Sequence, residues 1–411
     1  MSEAQTQTQN TDADLTRKGG FWSAAYTIFI LLTGTNLPTP LYRGYEQMFG
    51  HTTLVTTLIF AAYVAALVPA LLIGGPLSDS IGRRRVLLPS VGLAIAGSAV
   101  FSLASSTAWL FTARILQGLA VGAASGALTA VLNENEPTGN RRRAAFVTTV
   151  ASLGGLGVGP LVAGVLAQYA PAPFVTSFVL EIAFLLIALT FMTSLPDSST
   201  RTRWRLRRPS IPVGMGRVFA VSGSANFLAF GVVGLSLSLV PAYVLKLSGI
   251  TNLAVAGTTV TLMLACSIGA QIAGYGKSPL KLLGAGLILL LLGLVTLIVA
   301  GHAMSLPLLI VASVAAGLGH GLIFLGGMTE INRLAPRDKQ AETASAFFVI
   351  VYLGVGMPVI GAGFLATVLG SLMAVQIFAA ALIPLTFGAL LLLFMNHREL
   401  GRNSSGSCIT S

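Results

Sequence analysis

Charge is what this sequence has least of. Only 9% of its 411 residues are Asp, Glu, Lys or Arg, while 54% are hydrophobic and the mean hydropathy is +0.84. A soluble domain carries roughly a quarter charged residues, so a water-exposed globular surface is excluded. Acids are scarcer than bases, 13 against 24. Cysteine is nearly absent. Cys266 and Cys408 provide neither a disulfide framework nor a metal cluster, and Cys266, in an apolar run, reads as a small packing residue. The first 20 residues contain no apolar core, so they are not a signal peptide and read as a short disordered tail. Nucleotide-binding signatures are missing too. "GYGKS" at 274–278 ends like a P-loop, but Gln271 stands where its first glycine is required and no strand precedes it. The apolar stretches hold no clustered acids, His pairs or nucleophile–base constellation. No cofactor and no metal are therefore expected, and a polytopic membrane enzyme is the weaker alternative of a different class. A sensor would need an extramembrane domain, and no sizeable one is present.

What is present is length in apolar runs. A helix rises about 1.5 Å per residue and the bilayer core is about 30 Å thick, so a span needs about 20 apolar residues. Such runs fall at roughly 21–42, 53–75, 86–106, 108–132, 144–168 and 173–195. After "PDSSTRTRWRLRRPSIP" (196–212) they resume at roughly 216–245, 252–275, 280–301, 306–330, 341–367 and 371–395. The reading is an all-α integral membrane protein with twelve spans and both termini on one side. Its expected parts are a tail at 1–20, a six-helix bundle at 21–195, a basic linker at 196–215, a second six-helix bundle at 216–395 and a tail at 396–411.

Orientation follows from lysine and arginine, which stay in the cytoplasm beside spans. With the N-terminus inside, all but three of the 24 basic residues fall in inside segments; the exceptions are Arg43 and Lys246 outside and Arg114 within a span. The tails and linker are thus expected in the cytoplasm of a multi-pass plasma-membrane protein. The net charge of +11 reads as a topology signal and an attraction to anionic membrane lipid, not as a nucleic-acid site.

The two halves are weakly alike. "GLAVG" at 118–122 aligns with "GLGHG" at 317–321, and the same offset carries Asn133 to Asn332 and Pro137 to Pro336. Pro160 then meets Pro358, and "PLY" at 40–42 meets "PAY" at 241–243. A parallel repeat of six spans implies a pseudo-twofold axis along the membrane normal, with a binding site between the halves near the midplane.

Three motifs sit on this frame. Between spans 2 and 3, "GGPLSDSIGRRR" (74–85) contains G-x-x-x-D-x-x-G-R-R through Gly75, Asp79, Gly82, Arg83 and Arg84. Span 4 contains "RILQG", with Arg114, Gln117 and Gly118. Span 5 contains "GGLGVGPLVAG" (154–164), close to G-x-x-x-G-P-x-x-G-G through Gly155, Gly159, Pro160 and Gly164, with Ala163 replacing one glycine. With twelve spans and a basic central loop, these motifs resemble the major facilitator superfamily of secondary transporters, in its twelve-span drug/proton antiporter branch. The resemblance covers residues 20–397 and implies the two-bundle fold of that family and transport by alternating access.

It also implies roles. Asp79 would latch a helix N-terminus of the other half, where dipole and free N–H groups favour an anion. The loop arginines would pair with acids ending span 4, for which Glu134 and Glu136 are the candidates. Arg114 would assist proton coupling, with snorkelling to the interface as the plain alternative. The glycines of span 5 would form a groove for close helix crossing, bent at Pro160. The second-half counterpart of the loop motif, "AGYGKSPLK" (273–281), has lost the aspartate.

Ionisable groups inside spans are functional candidates by default. Glu181, well inside span 6, lies at a depth similar to that of Arg114, about 8–11 Å from the outer ends. The two are expected to pair, as a proton-linked couple or as a structural one. His320 in span 10 can titrate near neutrality or serve as a hydrogen-bonded packing residue. Tyr26, Asn36, Tyr63 and Asn226 are the expected polar groups of a substrate cavity, while span 1 offers no acid. The expected function is proton-coupled export of a drug-like or hydrophobic small molecule by a monomer, with uptake symport of a small metabolite as the alternative. The expected partners are that substrate, protons and membrane lipid.

Overall fold

The computed structural model describes residues 3–195, 209–249, 252–336 and 339–406. Cys408, Arg337 and the linker arginines Arg201, Arg203, Arg205, Arg207 and Arg208 lie outside them. In chain order the helices are α1 (Glu3–Asn36), a 3-10 turn (Thr39–Leu41), α2 (Tyr42–Phe49), α3 (Thr53–Ile81), α4 (Arg83–Ser102), α5 (Thr107–Glu134), α6 (Arg141–Tyr169) and α7 (Pro173–Thr193). There follow α8 (Gly216–Ser238), α9 (Val240–Ser248), α10 (Leu253–Gly274), α11 (Pro279–His302), α12 (Leu306–Leu334), α13 (Gln340–Leu369) and α14 (Ser371–Gly406). All but α2 and α9 have 20 residues or more, enough for a bilayer core of about 30 Å. Eleven of these are also apolar enough to cross a membrane. The twelfth, α1, has its apolar run diluted by Thr33, Thr35 and Asn36 and by a polar N-terminal half.

Three expectations need correction. Residues 3–20 are helical and continue into α1 rather than forming a disordered tail. Span 1 does not reach residue 42. Pro38 and Pro40 each lack an N–H and fix φ, so α1 ends at Asn36 and the chain turns before starting α2. Span 7 does not run unbroken to 245 either. Pro241 has no N–H to give and is suited to a first helical turn, and α8 stops at Ser238 with Pro241 in the first turn of α9.

The chain forms two compact units. One comprises Met1–Arg208 with Asn252–Thr261; the other comprises Pro209–Thr251 with Leu262–Ser411. In the first, α5 packs on α3 and α4, α1 on α6, and α4 on α7. In the second, α11 packs on α12 and α14, and α8 on α13 and α12. Missing side chains set the crossings. Gly118 and Gly122 of α5 lie against the carbonyl oxygens of Tyr63 and Leu67 on α3, where a Cβ would collide with backbone. Gly317 and Gly321 of α12 meet the carbonyls of Met263 and Ser267 on α10 in the same way. Small residues at such spacing bring membrane helices into backbone contact, where van der Waals packing replaces the hydrophobic effect. The lipid-facing surface is correspondingly greasy, with Phe184, Leu186 and Ile187 of α7 and Leu391, Leu392 and Phe394 of α14 exposed.

Candidate functional site

The first unit is built around a buried cation. Arg114 is 0% exposed, and the structure gives it no snorkelling route. Its Nε donates to the Tyr42 hydroxyl at 2.8 Å, and its Nη2 donates to the same oxygen. Nη1 donates to the Thr35 carbonyl at 2.5 Å and to Gln117 Oε1 at 3.2 Å. Four rings surround the guanidinium, with centroids at 5.4 Å (Tyr42), 5.8 Å (Phe60), 5.7 Å (Tyr63) and 5.9 Å (Phe101). Cation–π attraction acts at such distances. Gln117 in turn donates to the Gly34 carbonyl at 3.3 Å. α5 therefore grips the last turn of α1 at Gly34 and Thr35, and α2 closes over the grip through Tyr42.

Glu181 of α7 reaches the same turn from the other side. Its carboxyl is pressed against Gly34, in the space that any side chain there would fill, and it accepts a 2.7 Å hydrogen bond from Ser98 Oγ of α4. Arg114 and Glu181 thus share a neighbourhood but not a bond, unlike the expected pair. The guanidinium is directed onto Tyr42, Thr35 and Gln117, and the carboxyl onto Ser98. Tyr42, Thr35, Ser98 and Gly34 are the members of this cluster that the sequence reading missed.

The loop motif is organised by one arginine. Gly82 adopts φ +105° between α3 and α4, a conformation that costs glycine little and other residues much. Arg83 then donates to Asp79, to Ser78 Oγ at 2.8 Å, and through Nη2 to Glu134 Oε1 at 3.0 Å. Glu134 is therefore a partner of the loop, whereas Glu136 pairs with Arg143 at 3.3 Å. Arg84 is only partly exposed. The tight approach at the motif's start is made by Gly74, where a Cβ would collide with the Ala123 backbone, and Gly75 adjoins Gly126.

The span 5 motif works as a set of backbone contacts. Gly155 and Gly159 of α6 face the carbonyls of Phe29 and Thr33 on α1, and Gly164 faces the Leu253 carbonyl. Gly257 lies against the Pro160 carbonyl, and Thr261 Oγ1 donates to the Gly157 carbonyl at 2.7 Å. Asn36 Nδ2 donates to the Leu156 carbonyl at 2.9 Å, so this expected cavity residue ties α1 to α6. Tyr26 donates to the Phe184 carbonyl at 3.2 Å, tying α1 to α7. Tyr63 supplies one of the rings around Arg114.

In the second unit, His320 Nδ1 lies 2.8 Å from Ser267 Oγ, which Gln271 Nε2 also approaches. The imidazole stacks on Phe324 and meets Phe230 edge-on, and its Nε2 is buried without a hydrogen-bond partner. Asn226 Nδ2 donates to the carbonyls of Ser222 and Ile323, while its Oδ1 is likewise buried and unpartnered. Glu330 was passed over because the expected span stopped at its position. α12 runs on to Leu334, and Glu330 is 4% exposed with Arg333 at 2.8 Å.

Helices long and apolar enough to span a bilayer, two glycine-crossed units and ionisable side chains buried inside both are features of a polytopic membrane transporter. Comparison with known proteins agrees. Residues 24–280 match the family model of the Major Facilitator Superfamily, and the chain belongs to that family. It is a transporter and not an enzyme. Over 203 residues it is 31% identical to the puromycin resistance protein pur8 of Streptomyces alboniger, a match covering 48% of this chain and 39% of that one. Over 95 residues it is 38% identical to the 3-(3-hydroxy-phenyl)propionate transporter of Escherichia coli K12, covering 22% and 23%. A putative multidrug resistance protein, MdtD of Salmonella dublin, is 27% identical over 184 residues, covering 44% and 38%. Each match thus spans less than half of the relative's length. Among solved structures, an inward-facing, unoccupied bacterial homologue of the human lysosomal transporter Spinster superposes with a TM-score of 0.77 at 14% identity, over 93% of this chain and 97% of that one. This chain therefore has the twelve-helix fold of the family.

Proposed function

We propose that this transporter exports drug-like or hydrophobic small molecules in exchange for protons, with Glu181 as the proton-binding residue and Arg114 as its electrostatic partner. The observation that carries the reading is the buried cluster on the last turn of α1. An arginine with only neutral bonded partners and a carboxyl held by a serine hydroxyl meet there on Gly34 and Thr35. Ionisable groups are costly inside a membrane protein and mark coupling pathways. Similarity to a puromycin resistance protein and to a putative multidrug resistance protein supports export and the substrate class. The division of basic residues favours cytoplasmic termini in a plasma membrane, and Asp79 with Arg83 is the proposed state-dependent latch.

The test uses inverted membrane vesicles carrying a respiration-driven pH gradient, with puromycin and ethidium as probes. Wild-type vesicles are expected to lose part of the gradient when either probe is added, and Glu181→Gln vesicles to respond no more than empty ones. Probe-dependent proton flux in Glu181→Gln with the wild-type pH dependence would remove Glu181 from the mechanism. A second reading, proton-coupled uptake, is favoured by the 38% identity to a phenylpropionate transporter. Collapsing the proton gradient separates the two: cells expressing an exporter then retain more probe, and cells expressing a symporter retain less.

A further inference from the structure

Arg114 presents a full positive charge to acceptors that are all neutral. Nε and Nη2, the edge that would grip a carboxylate through two parallel bonds, both go to the Tyr42 hydroxyl. The Glu181 carboxyl lies against Gly34, next in sequence to Thr35, whose carbonyl takes Nη1. Arg114, Tyr42 and Glu181 are 0%, 3% and 5% exposed. Attraction between opposite charges is several-fold stronger there than in water. Something must therefore compete for the guanidinium, and the structure names the competitor.

We infer that Tyr42 is a positioning residue for proton coupling: its hydroxyl holds the Arg114 guanidinium off Glu181, leaving the carboxyl on Ser98 and able to take a proton. The inference rests on the reading of Glu181 as the proton-binding residue. The groups facing this cluster are few. α2 contributes Tyr42, Tyr45 with a buried and unpartnered hydroxyl, and Glu46, which accepts from Thr56 at 2.6 Å. The same short helix carries Arg43 beside Glu46. α3 contributes Tyr63, α4 Ser98, and α5 Gln117 beside Arg114 itself. α1 offers backbone carbonyls, its Tyr26 being bonded to Phe184. The Tyr42 hydroxyl is bonded to the guanidinium through both Nε and Nη2.

Tyr42→Phe keeps the ring over Arg114 and removes the acceptor. The freed edge then turns to the charged carboxylate, and an opposite charge within about 4–6 Å lowers an acid's midpoint by about 1–3 units. The experiment is an infrared pH titration of the purified full-length chain in lipid nanodiscs. It follows the carbonyl band of protonated Glu181, assigned by its loss in Glu181→Gln. The Tyr42→Phe midpoint is expected at least about one unit below wild type, with no such difference when both carry Arg114→Gln. Fluorotyrosine at position 42, which weakens the acceptor at nearly constant shape, should move the midpoint the same way by less. It serves as the test if Tyr42→Phe does not fold. An unchanged midpoint, a shift that persists without Arg114, or the absence of a titrating Glu181 band would overturn the inference. The readout needs no substrate. A Glu181→Gln protein that still exchanges protons would sink the coupling reading while leaving the Tyr42 result to be judged by itself.

Discussion

The α3–α5 crossing of the first unit and the α10–α12 crossing of the second are one piece of packing made twice. Gly118 and Gly122 meet the carbonyls of Tyr63 and Leu67; Gly317 and Gly321 meet those of Met263 and Ser267. One turn before the first glycine, the two part company. α5 carries Arg114, buried and bonded outward to α1 and α2, with Gln117 beside it. α12 carries Ser313, whose hydroxyl turns back onto the Leu309 carbonyl of its own helix at 2.9 Å, with Ala316 in the place of Gln117. Backbone crossing depends on side chains that are absent, and both units keep the absences. A buried cation needs a dedicated set of acceptors, and the first unit builds one around Arg114. The comparison separates residues that hold a unit together from residues that give it chemistry.

The largest expected effect tests the shared part. Gly118→Leu and Gly317→Leu each drive a branched side chain into a backbone carbonyl. Overpacking costs about 1–3 kcal/mol where neighbours can give way, and a carbonyl in a helix cannot. Both variants are expected to yield less than about a tenth of the wild-type monodisperse protein in size-exclusion chromatography. Loss in one unit with tolerance in the other would show that the crossings are not equivalent.

The next effect tests the part that differs. Arg114→Ser gives α5 the residue that α12 has and strands the acceptors on Tyr42, Thr35 and Gln117. Hydrogen bonds to a charged group contribute about 1.5–3 kcal/mol each, so export of ethidium is expected to fall at least about tenfold. Ser313→Ala removes one bond within a single helix and is expected to change export less than about twofold. Comparable losses would place chemistry in both units.

Most of the fold was legible because its signals are one-dimensional: apolar length and glycines at a repeated offset. The site was legible only in part. Counting residues from the span ends gave Arg114 and Glu181 the same depth, and they do meet the same turn of α1. Depth says nothing about which neighbour wins the guanidinium. That was decided by Tyr42, hidden because span 1 was drawn straight through Pro38 and Pro40. Once those prolines end α1, Tyr42 starts a separate helix that folds back over the arginine. The bonds of Asn36 and Tyr26 to neighbouring helices were hidden for a related reason. A polar residue in an apolar run can face a cavity or a neighbouring helix's carbonyl, and periodicity does not distinguish these.

The smallest expected effect returns to the repeat, at the turn after each of the compared helices. Glu136 follows α5, and its counterpart after α12 is Ala335. The Glu136 carboxylate accepts the backbone N–H groups of Thr138 at 2.8 Å and Asn140 at 2.6 Å, the Thr138 hydroxyl, and Arg143 at 3.3 Å. Burial alone would raise its pKa; the Asn140 and Thr138 bonds and the Arg143 charge outweigh burial and hold it below the ordinary carboxylate value. A carboxyl depressed in the folded state adds stability above its unfolded pKa and loses it as pH falls through the folded one. At neutral pH the amides of Thr138 and Asn140 should therefore exchange hydrogen more slowly in wild type than in Glu136→Gln. The difference should vanish once the pH drops below the depressed pKa. The Ala335 amide, at the counterpart position after α12, should exchange identically in the two proteins at every pH. A Thr138 and Asn140 difference that survives acid would mean that the turn is held by its shape and not by the charge on Glu136, so that the two units differ there in composition without differing in physics.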